Sequence, residues 1–381
     1  MKYKTLDSYD FKDKRVLVRV DLNSEVIKGK VINSPRVKSA ATTIKELQSK
    51  KAKVVVIAHQ GRQGKDDFTD LQQHAKLLNK YTKIKFIDDA SILGNKSISA
   101  IKNLKSGEAI LLDNIRNLKE ETDYDAAKSN LFVDTLTPLF DYYVNDAFSV
   151  SHRVQASIVG FPKKLPSCIG RTMEYELENV DKIKSKLNDC LFILGGAKPE
   201  DVSLLLTNKF ILSTGVLANI ALLLKGIDLG KEDTLLYGNE DLLDTIKKNL
   251  IRIQTPTDLA IEVKGKRKDL IIKKFPQNAN VLDIGKKTIK EYAKQIKNAK
   301  YIFFKGSAGK VENKNFQAGT EGILKAIASS KAFSVVAGGH STTALDEFKI
   351  KKDKIGYISL SGGALVHYIA GRKLPGLEAL K

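Results

Sequence analysis

Residues 191–198 read Leu-Phe-Ile-Leu-Gly-Gly-Ala-Lys. The first four form a short apolar run, the length of a buried strand, and Gly195-Gly196 break it. The break delivers a single cation, Lys198. Pro199, Glu200 and Asp201 follow; proline suits a first helical turn, and carboxylates there complement the helix dipole. A strand, a glycine turn and a helix start together predict a phosphate cradle, because free backbone N–H groups point outward and no Cβ blocks approach.

The pattern repeats downstream. Residues 210–215 run into Gly215, 281–285 into Gly285 with Thr288 as a candidate cap, 301–304 into Lys305-Gly306, 334–337 into Gly338-Gly339, and 357–360 into Gly362-Gly363. With 191–194 that makes six strand-to-glycine turns, the texture of a nucleotide domain. The run 216–225 is the next, largely buried helix. No GxxxxGK[ST], GxGxxG or protein-kinase motif set is present, so the nucleotide site is of another kind.

Upstream, apolar strands at 15–20, 53–58, 107–112 and 142–144 alternate with amphipathic stretches such as 37–50, which carries Val37, Ala40, Ala41, Ile44 and Leu47 on one stripe. Gly29 marks a hairpin-like turn, and Pro35-Arg36 open the helix. Polar or basic residues follow each strand: Asp21-Leu22-Asn23, His59-Gln60-Gly61-Arg62, Asp113-Asn114-Ile115-Arg116, and Asn145-Asp146 with Ser151-His152-Arg153. In a parallel sheet those ends share one edge, where ligands bind. Arg36, Arg62, Arg116 and Arg153, with His59 and His152, are therefore candidates for gripping an anion. His74 lies on a helical pattern and reads as structural or solvated.

At 381 residues, 42% hydrophobic and 28% charged, the chain has the size of two globular α/β domains. The net charge of +20 suits either a lysine-rich solvated surface or a field that draws in phosphates or nucleic acid. Cys168 and Cys190 have neither metal-type nor redox-type spacing, the start lacks a signal-like apolar segment, and 216–224 is too short to span a bilayer. These features point to a cytoplasmic protein without a membrane partner. Pro162 and Pro166 precede a polar helix at 172–186, read as the connection between domains.

In this order the chain resembles phosphoglycerate kinases, and their archaeal branch most. The matching segments are RVDLN (19–23), Arg36, HQGR (59–62), DNIR (113–116), VNDAFSVSHR (144–153), GGAK (195–198), DIGKKT (283–288), FQAGT (316–320) and GGHST (338–342), with SLSGGALVHYIAGRKLPGLEAL (359–380) at the end. The resemblance implies two Rossmann-like parallel-sheet lobes, 1–165 for phosphoglycerate and 187–360 for nucleotide. A hinge helix at 166–186 would join them, and 361–381 would return to the first lobe. It implies transfer of a phosphoryl group between 1,3-bisphosphoglycerate and ADP, with Mg2+ accompanying ADP or ATP and a carboxyl group as acceptor of ATP's phosphoryl group. Two lobes closing together would shield the acyl phosphate from water.

Carried over by motif, Asp21, Leu22, Asn23, Arg36, His59, Gln60, Gly61, Arg62, Arg116 and Arg153 would hold the acid. Gly195, Gly196, Ala197, Lys198, Gly215, Glu312, Ala337, Gly338, Gly339, His340 and Ser341 would hold the nucleotide, with Glu312 at the ribose. Arg36 and Lys198 would stabilise charge during transfer. The chain departs from the family in three places: the NGPxGVFE segment reads Lys305-Gly-Ser-Ala-Gly-Lys-Val-Glu312, the GGGD aspartate is His340, and the lysine four residues after Lys198 is Val202. The metal ligands are thus unassigned, and either a monomer or a homodimer is compatible. Two other readings compete: a relative that binds nucleotide without turnover, and a basic nucleic-acid-binding protein. The intact acid-site set favours catalysis over the first, and the lack of any nucleic-acid module disfavours the second.

Overall fold

A computed structural model describes residues 3–275 and 279–381; the side chains of Lys274 and His340 lie outside it. The chain divides into two compact units, Met1–Glu178 with Arg372–Lys381, and Asn179–Gly371. The division falls within the helix Arg171–Lys184.

The first unit is built on six parallel strands in the order Lys85–Phe86, Ala109–Leu111, Lys53–Ile57, Arg15–Val20, Tyr142–Asp146, Ser167–Ile169. Strands covered on both faces read as continuous apolar runs, which is why Val16, Leu17, Val18 and Val20 are fully buried. The helix Pro35–Ser49 places proline in its first turn and buries Val37, Ala40, Ala41, Ile44 and Leu47. That stripe packs with Val54, Val56 and Leu111 in one core. Lys28 and Gly29, at φ 48° and 73°, turn the hairpin Val26–Ile27 and Lys30–Val31. The last helix, Pro375–Glu378, returns to this unit: Gly376 donates its N–H to the Ser151 carbonyl at 2.9 Å, and Leu374, Leu377 and Leu380 are buried.

The second unit has its own six-stranded parallel sheet, ordered Ile253–Gln254, Phe210–Ser213, Cys190–Leu194, Tyr301–Lys305, Phe333–Ala337, Tyr357–Ser359. One expected member is elsewhere. Val281–Ile284 joins an antiparallel sheet with the hairpin strands Asp258–Val263 and Lys266–Ile271, and the short Ile253–Gln254 takes the sixth place. A four-residue apolar run followed by glycine looks the same locally whichever neighbour it pairs with. Thr288 is not the cap of the following helix either. Gly285 holds that position, and the buried Thr288 hydroxyl donates to Asp258 Oδ1 at 2.6 Å.

Candidate active site

The acid-site candidates meet at the C-terminal edge of the first sheet. Asp21, just beyond Val20, accepts hydrogen bonds from the Arg36 guanidinium and the Ser149 hydroxyl on one carboxylate oxygen. Its other oxygen takes the Asn23 N–H at 3.0 Å. Burial pushes the Asp21 carboxyl upward, but the Arg36 charge and these hydrogen bonds outweigh it and bring the pKa from the usual 3.8 down to about 2. A pKa depressed in the fold means stability that is present above pH ~4 and lost as pH falls through about 2. Asp21→Asn should therefore cost about 2 kcal/mol at pH 7, with the gap from wild type closing between pH ~4 and ~2 in urea unfolding. A gap that stayed constant would refute that assignment of charge.

His59 stands at the next strand end, 5% exposed, with its Nδ1 at 3.0 Å from a nitrogen of the Arg19 guanidinium. Burial first, then the Arg19 charge, holds its pKa well below 6.5, against the opposing pull of Asp21. The ring is therefore neutral, and because arginine only donates, Nδ1 accepts and Nε2 carries the proton. His59 is thereby fixed as a neutral donor at Nε2.

Burial and neighbouring like charges pull down the pKa values of Arg116 and Arg153; Arg19 and Arg62 act on both. Cations crowded closely enough to disfavour one another are a site prepared for an anion. Arg116 donates to the Gly61 carbonyl. Gly61 sits at φ 64°, and a Cβ there would lie 2.3 Å from the Asp67 carbonyl oxygen, so only glycine fits. Its N–H donates to Asn23 Oδ1 at 2.9 Å, tying two strand-end loops together.

Two candidates face inward. Leu22 is fully buried in the core. Gln60 has its amide engaged on both sides: Oε1 accepts from Ser24 N–H (2.8 Å) and lies 3.1 Å from His74 Nε2, while Nε2 donates to the Ser24 and Asp67 carbonyls (3.0 and 2.9 Å). The side chain braces the loop. His74 is fully buried against it, which settles it as structural.

At this sheet edge two residues escaped the sequence reading. Ser149 holds Asp21. Arg19, fully buried between Val18 and Val20, holds His59 and also donates through Nε to Ser157 Oγ at 3.0 Å. The signal for Arg19 was present: a charge flanked by valines in a buried run needs a partner.

The second unit encloses a cavity of about 630 Å3, lined among others by Gly195, Gly196, Ala197, Lys198, Gly215, Glu312, Gly338, Gly339 and Ser341. Ala337 ends its strand fully buried and is not in the lining; the His340 side chain lies outside the described ones. Leu259, Val281, Leu282 and Ile284 also line the cavity, so the antiparallel sheet supplies apolar wall. Lys305, Asp201 and Lys310 line it too, and none was a sequence candidate.

The glycine turn works differently from the expectation. Gly195 and Gly196 donate their N–H groups to the Lys305 and Ser307 carbonyls at 2.9 and 2.8 Å, so neither is free for a phosphate. These glycines permit close packing of backbones instead. A Cβ on Gly306 would lie 2.1 Å from the Gly195 carbonyl oxygen, and one on Gly215 would lie 2.7 Å from Gly196 N. The helix Gly339–Glu347 provides the N–H donors: its cap Gly338 is at φ 96°, and Cβ positions at Gly338 and Gly339 meet open space. A helix start opening on a cavity receives anions through its N–H groups and dipole.

Residues 6–372 match the family pattern described as phosphoglycerate kinase. The chain is 40% identical over 400 residues to the phosphoglycerate kinase of Methanothermus fervidus, covering 100% of this chain and 97% of that one. It is 39% identical over 402 residues to that of Methanothermobacter thermautotrophicus, again covering 100% and 97%. Among solved structures, phosphoglycerate kinase from Pyrococcus horikoshii OT3 superposes with a TM-score of 0.88 at 35% identity, over 99% of this chain and 98% of that one.

Proposed function

The chain belongs to the phosphoglycerate kinase family, and on that premise we propose how its own residues divide the reaction. The reaction moves a phosphoryl group between 1,3-bisphosphoglycerate and ADP, giving 3-phosphoglycerate and ATP. The acid is held in the first unit by Asp21, Asn23, Arg36, His59, Arg62, Arg116 and Arg153. The observation that carries this is the gathering of these residues at the C-terminal edge of one parallel sheet, where Asp21 binds Arg36, Arg19 binds His59 and Arg116 binds the Gly61 loop: crowded guanidinium groups gain most from a bound phosphate. Asp21 fixes Arg36 in place, and His59 offers Nε2–H.

The nucleotide enters the cavity of the second unit, its base along the apolar wall and its phosphates toward Lys198 and the start of Gly339–Glu347. In the ATP-consuming direction the acceptor is a carboxylate, ionised at neutral pH, so the site needs no general base. In-line alignment and cations on the transferred group's oxygens suffice. Among the described residues no cluster of three or more His, Cys, Asp or Glu holds a metal by itself. Mg2+ fits nonetheless, because it binds mainly through nucleotide phosphates and one or two carboxylates. The exposed Asp201 carboxylate in the lining would hold it, and the ion would neutralise phosphate charge. No helix among the described residues is long and apolar enough to cross a membrane.

The test is a coupled assay with 3-phosphoglycerate and Mg-ATP, reading 1,3-bisphosphoglycerate through a dehydrogenase. Turnover is expected. ATP binding without turnover would sink the catalytic reading and leave a nucleotide-binding protein.

A further inference from the structure

Lys305 ends the strand Tyr301–Lys305 and is its one charged residue. Its side chain is 8% exposed and lines the nucleotide cavity. In the sheet it pairs with Leu194 on one side and Ala337 on the other. It therefore sits between the turn that carries Lys198 and the turn that opens the helix Gly339–Glu347. Among the described residues its ionic partner is Asp201, at a loose 3.7 Å, and that carboxylate is 59% exposed. Residue 202, where a second cation beyond Lys198 could stand, is a fully buried valine.

An ammonium group taken out of water without a close, fully bonded partner is costly. A chain that needed only structure at this strand end could carry an apolar residue at lower cost. A polyphosphate in the cavity would supply the missing compensation.

We propose that Lys305 is a second cation contacting the phosphates of the bound nucleotide, held by Asp201 until the nucleotide displaces that carboxylate. The inference rests on the nucleotide-site reading above. It means that the charge absent from position 202 enters the same cavity from the neighbouring strand.

The test compares ADP with adenosine by calorimetry in EDTA, where no metal contributes. Lys305→Met keeps the length of the side chain and removes the charge. It is expected to weaken ADP at least tenfold while adenosine affinity stays within about twofold, as loss of one charge-assisted contact implies. An ADP-to-adenosine ratio unchanged from wild type overturns the inference. So does an equal loss for both ligands, which would make Lys305 structural. Asp201→Asn, at an exposed position, covers the case in which Lys305→Met does not fold. It removes the competing carboxylate and is expected to raise discrimination for ADP about threefold, or roughly 0.7 kcal/mol; unchanged or reduced discrimination overturns the inference. If wild type itself does not prefer ADP to adenosine, the nucleotide-site reading falls and this inference with it. If it does and the variants match it, this inference alone falls.

Discussion

Lys198→Ala is expected to lower kcat about 10²–10³-fold, equivalent to roughly 3–4 kcal/mol of transition-state stabilisation. Lys198 caps the short helix Pro199–Leu205, and its side chain is exposed at the cavity rather than committed to the core. Rigidity comes from beneath it. Gly195 and Gly196 are bonded to the carbonyls of Lys305 and Ser307, and the interlocked glycines leave that turn no room to shift. A cation held ready on such a base meets charge as it develops on the moving phosphoryl oxygens. The Michaelis constant for 3-phosphoglycerate should stay near wild type, because the residues proposed to hold the acid all belong to the other unit. The coupled assay reads both constants. Near-native kcat in the variant would remove Lys198 from the chemistry.

Arg19→Met is expected to cost about 3–5 kcal/mol of stability, the range for breaking a buried ionic network from one side. Arg19 is fully buried and Glu121 is 1% exposed. Ser157 links them: its hydroxyl accepts from Arg19 Nε at 3.0 Å and donates to Glu121 Oε1 at 2.7 Å, while its N–H donates to Glu121 Oε2 at 2.8 Å. Burial raises the Glu121 pKa, and the Arg19 charge works against that rise. Without Arg19 the buried carboxylate loses its strongest counter-charge and keeps only the weaker pull of Arg116, and His59 loses the donor that sets its tautomer. Adding Glu121→Gln should recover part of the loss, since two contacting residues of one network do not act additively. Urea unfolding of both variants measures this, and a single-variant loss below about 1 kcal/mol would show that the network is not structural.

Much of this protein is written locally. Apolar runs covered on both faces announce the two parallel sheets, and the spacing of Val37, Ala40, Ala41, Ile44 and Leu47 announces the helix Pro35–Ser49. Parallel topology alone gathers the strand ends on one edge, so Asp21, His59, Arg116 and Arg153 could be placed together from the sequence. The Gly195–Lys198 turn, Gly215 and Gly338–Gly339 likewise came to one cavity.

Tertiary structure decided the rest. Val281–Ile284 went to the antiparallel sheet because pairing depends on which strand arrives beside it, not on its own four residues. The N–H groups of Gly195 and Gly196 went to carbonyls more than a hundred residues downstream, where expectation had them facing a phosphate. Gln60 was claimed by Ser24, His74 and Asp67, and Arg19 found Ser157, 138 residues on. Periodicity records which positions are buried; it does not record the partner of a buried polar group. That partner is set by the packing of distant segments, and it decides whether a polar group braces the fold or faces the ligand.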